Sequence, residues 1–280
     1  MRPVGAMRRQ MSNGSTGSRS KSSTMETTQP LPLSAIPSLL LGLIDRPSHT
    51  FRQITRGARW VWVVPLVLLL IGQGLYTAVA AGPAREFGQA VTRYTLDHGR
   101  FAGQMTPEQR RQALAQAEAQ SERTGSAGLV IGVAGGLLLT LAGWVVYGLI
   151  FHALASLLGS QSTTPGAMIA IASWSWLPLG LKPLVQALFV AQTGQLPRHE
   201  GLAALVSSGD RVLDSFNPLY AYLGQFDLWQ LANWALLIVG VGAISRFSRR
   251  KAALVVLPVW LGFSIIALAP LLLGKMVTGL

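Results

Sequence analysis

Lys182 is the residue of this 280-residue sequence whose type and position most directly suggest chemistry. It is the only formally charged side chain well inside one of the long apolar stretches, and a charge at the centre of a bilayer costs about 2.5–3.5 kcal/mol on insertion scales. Three alternatives stay open. The ammonium group snorkels to the outer membrane interface, it pairs with Asp227 at the outer end of the next apolar stretch, or it lines a polar cavity.

Two further polar residues lie within apolar stretches. His152 has no His, Asp or Glu close to it in the sequence, which favours an interfacial polar residue over a metal ligand or a catalytic group. Asn233 is uncharged, so we expect it to form a hydrogen bond between helices. All eleven acidic residues lie in tails, loops or the ends of apolar stretches, which argues against an ion-coupled pump.

The sequence lacks the patterns that carry catalysis. It has no Cys, which excludes thiolate metal sites and Cys nucleophiles. It has no phosphate-binding loop, no zinc-binding helix motif, no nucleophile elbow and no paired carboxylates inside an apolar stretch. The sequence therefore predicts no enzyme, no catalytic residue, no metal site and no cofactor.

The elements that must position these residues are five long apolar stretches. Half of the residues are apolar and only 12% are charged, against about 25% in a soluble domain. Because about 20 apolar residues span a bilayer as a helix, the sequence predicts an all-α, polytopic membrane protein. We expect a five-transmembrane-helix bundle with short extracytoplasmic helices, within a membrane domain of residues 60–280. The predicted spans are residues 60–81, 128–158, 166–190, 228–244 and 252–273.

The chain ahead of the first span divides into two predicted parts. Residues 1–33 are basic and rich in Ser and Thr, which is typical of a disordered cytoplasmic tail. Residues 34–59 are predicted to form an interfacial amphipathic segment, in which Arg52, Arg56 and Arg59 fall on one helical face. The alternative is that these arginines are an ordinary positive flank of the first span.

The distribution of Lys and Arg predicts the orientation of the chain. Nine of them precede the first span, and the turn between the fourth and fifth spans adds Arg246, Arg249, Arg250 and Lys251. Under the positive-inside rule the N-terminus is cytoplasmic and, after five spans, the C-terminus is extracytoplasmic. The net charge of +12 is therefore interpreted as contact with anionic membrane lipids rather than with nucleic acid.

Helical segments are also predicted outside the membrane. Residues 84–97 and 201–215 are expected to be short helices, and Thr106–Gln109 has the pattern of a capping box at the start of another helix.

Glycines in the second span form a stripe of small residues. Gly128, Gly132 and Gly136 are four residues apart, and Gly143 follows on the same face. Such a stripe lets two helix backbones approach closely. We expect packing against another span of the same chain. Association with a second copy is the alternative.

Four segments of the chain resemble the Yip family (Yip-one domain) of five-span membrane proteins. They are RPSHTFRQI before the Trp-rich first span, LASLLGSQST after the second, SWSWLPLGLKPL in the third and FDLWQLANWALLIVGVGAISRFSRRKAALVV around the last turn. The resemblance covers about residues 45–275. It departs from the family in the turn after the second span, which has Gly159-Ser160 where a second glycine is usual. It implies a cytoplasmic N-terminus, an extracytoplasmic C-terminus and five helices. Eukaryotic relatives act in vesicle trafficking, whereas the short loops here favour a prokaryotic member in the bacterial cell membrane, a branch of unknown function.

Two functions remain open from the sequence. The first is a membrane scaffold or adaptor without catalytic chemistry, in membrane organisation or a trafficking-like process, whose arginines contact anionic lipids, other membrane proteins or a second copy. The second is a transporter or channel for small solutes or lipids, with a cavity near Lys182 and Gln186 between spans kinked by proline.

Overall fold

The computed structural model describes residues 33–57, 62–198 and 200–280, and gives side-chain surroundings for all of these except residues 33 and 120–130. These residues form helices and turns, with no strand among them. The helices are α1 (Ile36–Asp45), α2 (Pro47–Arg56), α3 (Val63–His98), α4 (Pro107–Leu157), α5 (Pro165–Ser175), α6 (Leu177–Thr193), α7 (Arg211–Ser215), α8 (Pro218–Leu223), α9 (Leu228–Ser245), α10 (Arg249–Ile266) and α11 (Ala269–Thr278).

Five helical segments of the described chain are long and apolar enough to cross a membrane. They are Val63–His98, Ile131–Leu157, Pro165–Thr193, Leu228–Ser245 and Arg249–Thr278. This confirms the predicted all-α class with five spans, and the chain is a multi-pass membrane protein. We call the end of the bundle that holds the start of α3 and the turn between α9 and α10 the inner end. The opposite end is the outer end.

The first two spans extend well beyond the thickness of a bilayer. α3 has 36 residues and α4 has 51. At about 1.5 Å per residue their lengths are about 54 and 77 Å, against about 30 Å of hydrocarbon. The segment 84–97, predicted as a separate short helix, is instead the continuation of α3. The capping box is present where α4 begins, since Gln109 N donates to Thr106 Oγ1 (3.2 Å) and Thr106 N donates to Gln109 Oε1 (2.8 Å).

The projecting parts of α3 and α4 are joined by ion pairs. Arg110 lies 3.0 Å from Asp97, and Arg93 lies 3.6 Å from Glu118. All four side chains are more than a third exposed, so these pairs contribute little to stability.

Two other segments are interrupted. The third span breaks at Trp176 between α5 and α6, just before Pro178 enters the first turn of α6. Residues 201–215, predicted as one helix, form a 3-10 helix over Gly201–Val206 and then α7. The turn between them includes Gly209, whose φ of +85° favours glycine, and Asp210, which caps α7 by accepting from Val212 N at 2.7 Å.

The main core lies towards the inner end and includes the segment ahead of the first span. α2 packs against α5 and α9, and Phe51 and Ile54 on its apolar face are almost fully buried. The apolar face of α2 is therefore covered by protein, while its arginine face stays exposed. The same core includes Leu39, Leu43, Phe151, Met168, Ile171, Trp174, Leu237, Val241, Val255 and Val256.

Candidate functional site

Basic side chains from two distant parts of the sequence lie at the inner end. Five of the six are exposed, and Lys251 is partly buried. Among the described residues none of them forms an ion pair. We call this set the inner basic surface. It consists of Arg52, Arg56, Arg246, Arg249, Arg250 and Lys251.

Local structure holds each half of the inner basic surface in place. Phe51 on α2 packs against Gly240, about one and a half turns before the end of α9. Arg246 ends α9 in the left-handed conformation (φ +57°), and Ser248 caps α10 by accepting from Lys251 N at 3.3 Å. The arginines of α2 and of the α9–α10 turn therefore share one end of the bundle. Arg59, predicted to belong to the same stripe, lies outside the described residues.

Lys251 differs from the five arginines. Its Nζ donates to the carbonyl of Leu158 at 2.8 Å and lies 4.2 Å from the ring centre of Phe247. A cation at a helix C-terminus satisfies a free carbonyl and opposes the negative end of the helix dipole. Lys251 thus joins α10 to the end of α4 and is the least available member of the surface.

His152 lies near the same end of the bundle. Its Nδ1 is 3.1 Å from Thr163 Oγ1, in the turn after α4. In that turn Ser160 Oγ and Ser162 Oγ donate to the carbonyls of Ser245 and Ile244, at 3.2 and 2.7 Å. These contacts tie the turn to the end of α9. Within the part of the chain that the structure describes, no cluster of His, Asp or Glu suits a metal ion.

Lys182 is held by two carboxylates at the outer end. Its Nζ lies 2.8 Å from Asp227 Oδ2 and 2.5 Å from Glu200 Oε2. Gln186, one turn further along α6, donates from Nε2 to Glu200 Oε1 at 2.7 Å. Asp227 also caps α9, because its Oδ1 accepts from Gln230 N at 2.7 Å. We call Lys182, Gln186, Glu200 and Asp227 the Lys182 cluster.

Helix lengths show how far from the inner end the Lys182 cluster lies. α9 starts after Asp227 and has 18 residues, or about 27 Å. Lys182 is 17 residues beyond Pro165, where the third span starts at the inner end, so it also lies about 26 Å along its span. Both groups therefore reach the outer boundary of the hydrocarbon. Of the three alternatives for Lys182, the ion pair with Asp227 is present, and Lys182 also lines a cavity at the outer end. Glu200 was missed, because it lies in an irregular segment without a sequence pattern.

Asn233 forms the interhelical hydrogen bond expected of it. Its Nδ2 donates to the carbonyl of Ser175 on α5 at 2.9 Å, and the side chain is 2% exposed. Because an unsatisfied amide in hydrocarbon is costly, this bond stabilises the contact of α9 with the last residue of α5. Asn233 has a structural role in this arrangement.

The glycine stripe of α4 does not contact another span in this chain. A Cβ added at Gly132, Gly136 or Gly143 would meet no atom within 4 Å, and the surroundings of Gly128 lie outside the described part of the chain. Gly132 and Gly136 instead line an open groove of about 430 Å³ against α3. The expected packing within the chain is therefore wrong for the three described glycines.

The close approach of α4 to another span occurs at Gly148. A Cβ there would lie 2.6 Å from the backbone nitrogen of Ile169 on α5. Gly148 is 12 residues beyond Gly136, which rotates it by about 120° around the helix. The four-residue spacing of the glycine stripe therefore identified a face of α4 that differs from the face that packs against α5.

Comparison with known proteins gives one match. The family model described as the Yip1 domain matches residues 41–270, from the middle of α1 to the start of α11. None of the curated proteins and none of the solved structures gives a significant match.

Proposed function

Because the chain belongs to the Yip1 family of membrane proteins, we propose that it is a non-catalytic membrane scaffold whose inner basic surface holds anionic lipid headgroups. In this proposal the inner end and the N-terminus face the cytoplasm of a bacterial cell, and the C-terminus is extracytoplasmic. The observation that carries the proposal is the packing of α2 on α9, which brings Arg52 and Arg56 to the end that bears Arg246, Arg249 and Arg250.

The way α2 is held favours lipid headgroups as the ligand. A free amphipathic helix binds a membrane by inserting its apolar face. In this chain Phe51 and Ile54 are buried in the protein core, so the arginine side is the exposed part of α2. Basic residues next to an anionic leaflet contribute about 1 kcal/mol each. The members of the inner basic surface form no ion pair with a described carboxylate. Their positive charges therefore remain available to anionic headgroups.

We expect the double variant Arg52→Gln/Arg249→Gln to lose about thirtyfold in its preference for anionic over zwitterionic lipid, since two such charges are removed. The full-length protein is reconstituted in phosphatidylcholine bilayers that contain increasing amounts of brominated phosphatidylglycerol. Quenching of tryptophan fluorescence by the bromine atoms reports lipid that contacts the protein.

The matched control for this experiment is Arg100→Gln/Arg111→Gln, which removes two exposed arginines at the outer end. The control should keep the preference of the unchanged protein. Raising the salt concentration should reduce the preference of the unchanged protein and of the control. If the inner variant retains the full preference, the inner basic surface does not hold lipid, and an acidic protein partner becomes the next candidate.

The orientation has its own test, because the sequence contains no Cys. Gln112 lies on the projecting part of α4 and Gln161 in the turn after it, and both are exposed. In intact cells a membrane-impermeant maleimide should label Gln112→Cys. Gln161→Cys should react only after the membrane is permeabilised. The reverse pattern would contradict the proposed orientation.

A further inference from the structure

A cavity at the outer end contains an excess of cationic groups. Its volume is about 500 Å³, and it lies where α6 and the start of α9 meet the segment 197–225. The charged part of its wall has three cations, Lys182, Arg198 and Arg211, and two carboxylates, Glu200 and Asp227. We call this space the outer cavity. Its apolar wall includes Phe87 and Leu179.

The carboxylates of the outer cavity are already engaged. Glu200 accepts from Lys182 and Gln186, and Asp227 accepts from Lys182 and from the backbone of Gln230. Each of their four oxygens therefore has a hydrogen-bond donor, and the charge of Lys182 is offset. The positive charge that remains in the wall belongs to the two arginines, so the outer cavity favours an anion over a cation.

Arg211 is held in a fixed position at the cavity wall. Its guanidinium carbon lies 4.7 Å from the ring centre of Phe87, and its nitrogens donate to the carbonyls of Leu196 and Pro197, at 3.5 and 3.2 Å. Carbonyl oxygens use two of its five N–H donors without neutralising its charge. Arg211 forms no ion pair with any described residue, and its remaining donors are free for a ligand.

Arg198 brings the second charge to the same cavity. Its side chain is exposed and has no ion-pair partner within the described ranges. Its backbone carbonyl accepts from the Tyr220 hydroxyl, which fixes this part of the segment against α8. The nearby Asp214 is buried outside the cavity wall, where its oxygens accept from Ser207 Oγ and Ser208 N.

We propose that the outer cavity binds a phosphate group carried by an amphiphilic molecule, with Arg198 and Arg211 as its ligands. Guanidinium groups present planar pairs of donors that match phosphate oxygens. Phe87 and Leu179 give the apolar part of such a molecule a surface to contact. Asp227 places the cavity next to the outer boundary of the hydrocarbon, where phospholipid headgroups lie. This site is separate from the inner basic surface and does not depend on it.

The test uses purified full-length protein in an uncharged detergent, with short-chain phosphatidic acid, inorganic phosphate and diacylglycerol of the same chain length as probes. Binding is measured as the shift in the temperature of thermal unfolding, followed by tryptophan fluorescence. Phosphatidic acid should raise that temperature. Arg198→Gln and Arg211→Gln should each weaken its apparent affinity by about tenfold, because each removes a charge-assisted hydrogen bond.

Two controls make the result specific. Arg111→Gln removes an exposed arginine of α4 away from the cavity and should leave the affinity unchanged. Arg198→Gln changes a side chain without a described hydrogen bond, so it tests the site even if Arg211→Gln fails to fold. Competition by inorganic phosphate would identify a site that also takes free phosphate. A shift with phosphatidic acid alone would identify a lipid headgroup. Equal affinity in the arginine variants and the unchanged protein, or an equal shift with diacylglycerol, would overturn the proposal.

Discussion

Gly148→Ala is expected to lower the free energy of unfolding by at least about 2 kcal/mol, because the new methyl group overlaps the backbone of α5. Its Cβ would lie 2.6 Å from the nitrogen and 2.7 Å from the Cα of Ile169. A flexible side chain would move aside at little cost, but a helix backbone cannot. α4 and α5 would have to separate along a contact that continues into the core at Phe151 and Met168. The same contact brings His152 to within hydrogen-bond distance of Thr163.

The matched control for Gly148→Ala is Gly136→Ala, the same substitution three turns earlier in α4. Nothing lies within 4 Å of the new methyl group there. Alanine in place of glycine in a helix interior is favourable by about 1 kcal/mol, so this variant should be as stable as the unchanged protein or more stable. Thermal unfolding in detergent at one heating rate compares the two. A harmful Gly136→Ala beside a neutral Gly148→Ala would mean that the glycine stripe, and not Gly148, is where α4 packs.

Hydropathy predicted the five spans well because a helix that crosses a bilayer needs about 20 successive, mostly apolar residues. It could not predict where the helices end. Gly82 and Pro83 lie where the apolar stretch of α3 stops, and that pair usually ends a helix. α3 nevertheless continues to His98, and Phe87 and Tyr94 in its last part contact Arg211 of α7 and Phe216 directly after it. These contacts depend on the position of a distant helix, which no local pattern contains.

The candidate sites show the same division between local and non-local information. The partner of Lys182 at Asp227 was predictable as an alternative, since Lys182 lies past the middle of its apolar stretch and Asp227 lies at the outer end of the next one. Glu200 was not, because its position depends on the fold of residues 194–227. That fold depends on helix caps at Asp210 and Asn217 and on the hydrogen bond from the Tyr220 hydroxyl to the carbonyl of Arg198. The arginines of the inner basic surface were identified by their charge. Their assembly required the burial of Phe51 against α9, in a segment that the sequence predicted to be interfacial.

Lys182→Met is expected to destabilise the protein by about 2–4 kcal/mol, since it leaves two carboxylates without their shared cation. Asp227 is only 10% exposed, and the other acid of the pair, Glu200, would keep only Gln186 as a side-chain donor. Methionine retains most of the volume of lysine, so the loss of stability reflects the missing charge rather than a new cavity. The comparison is Lys275→Met on α11, a lysine that forms no described ion pair.

The Lys182 cluster also predicts non-additivity. In the double variant Lys182→Met/Glu200→Gln one of the two unpaired carboxylates is gone, so the repulsion between them is gone too. The double variant should therefore lose less stability than the sum of the single losses, by about 1 kcal/mol or more. Thermal unfolding of the four proteins in detergent at one heating rate gives this coupling. Strict additivity, or a Lys182→Met variant as stable as Lys275→Met, would mean that Lys182 merely reaches the outer interface and is solvated there. The contact between α6, α9 and residue 200 would then rest on packing and on the hydrogen bond from Gln186 to Glu200.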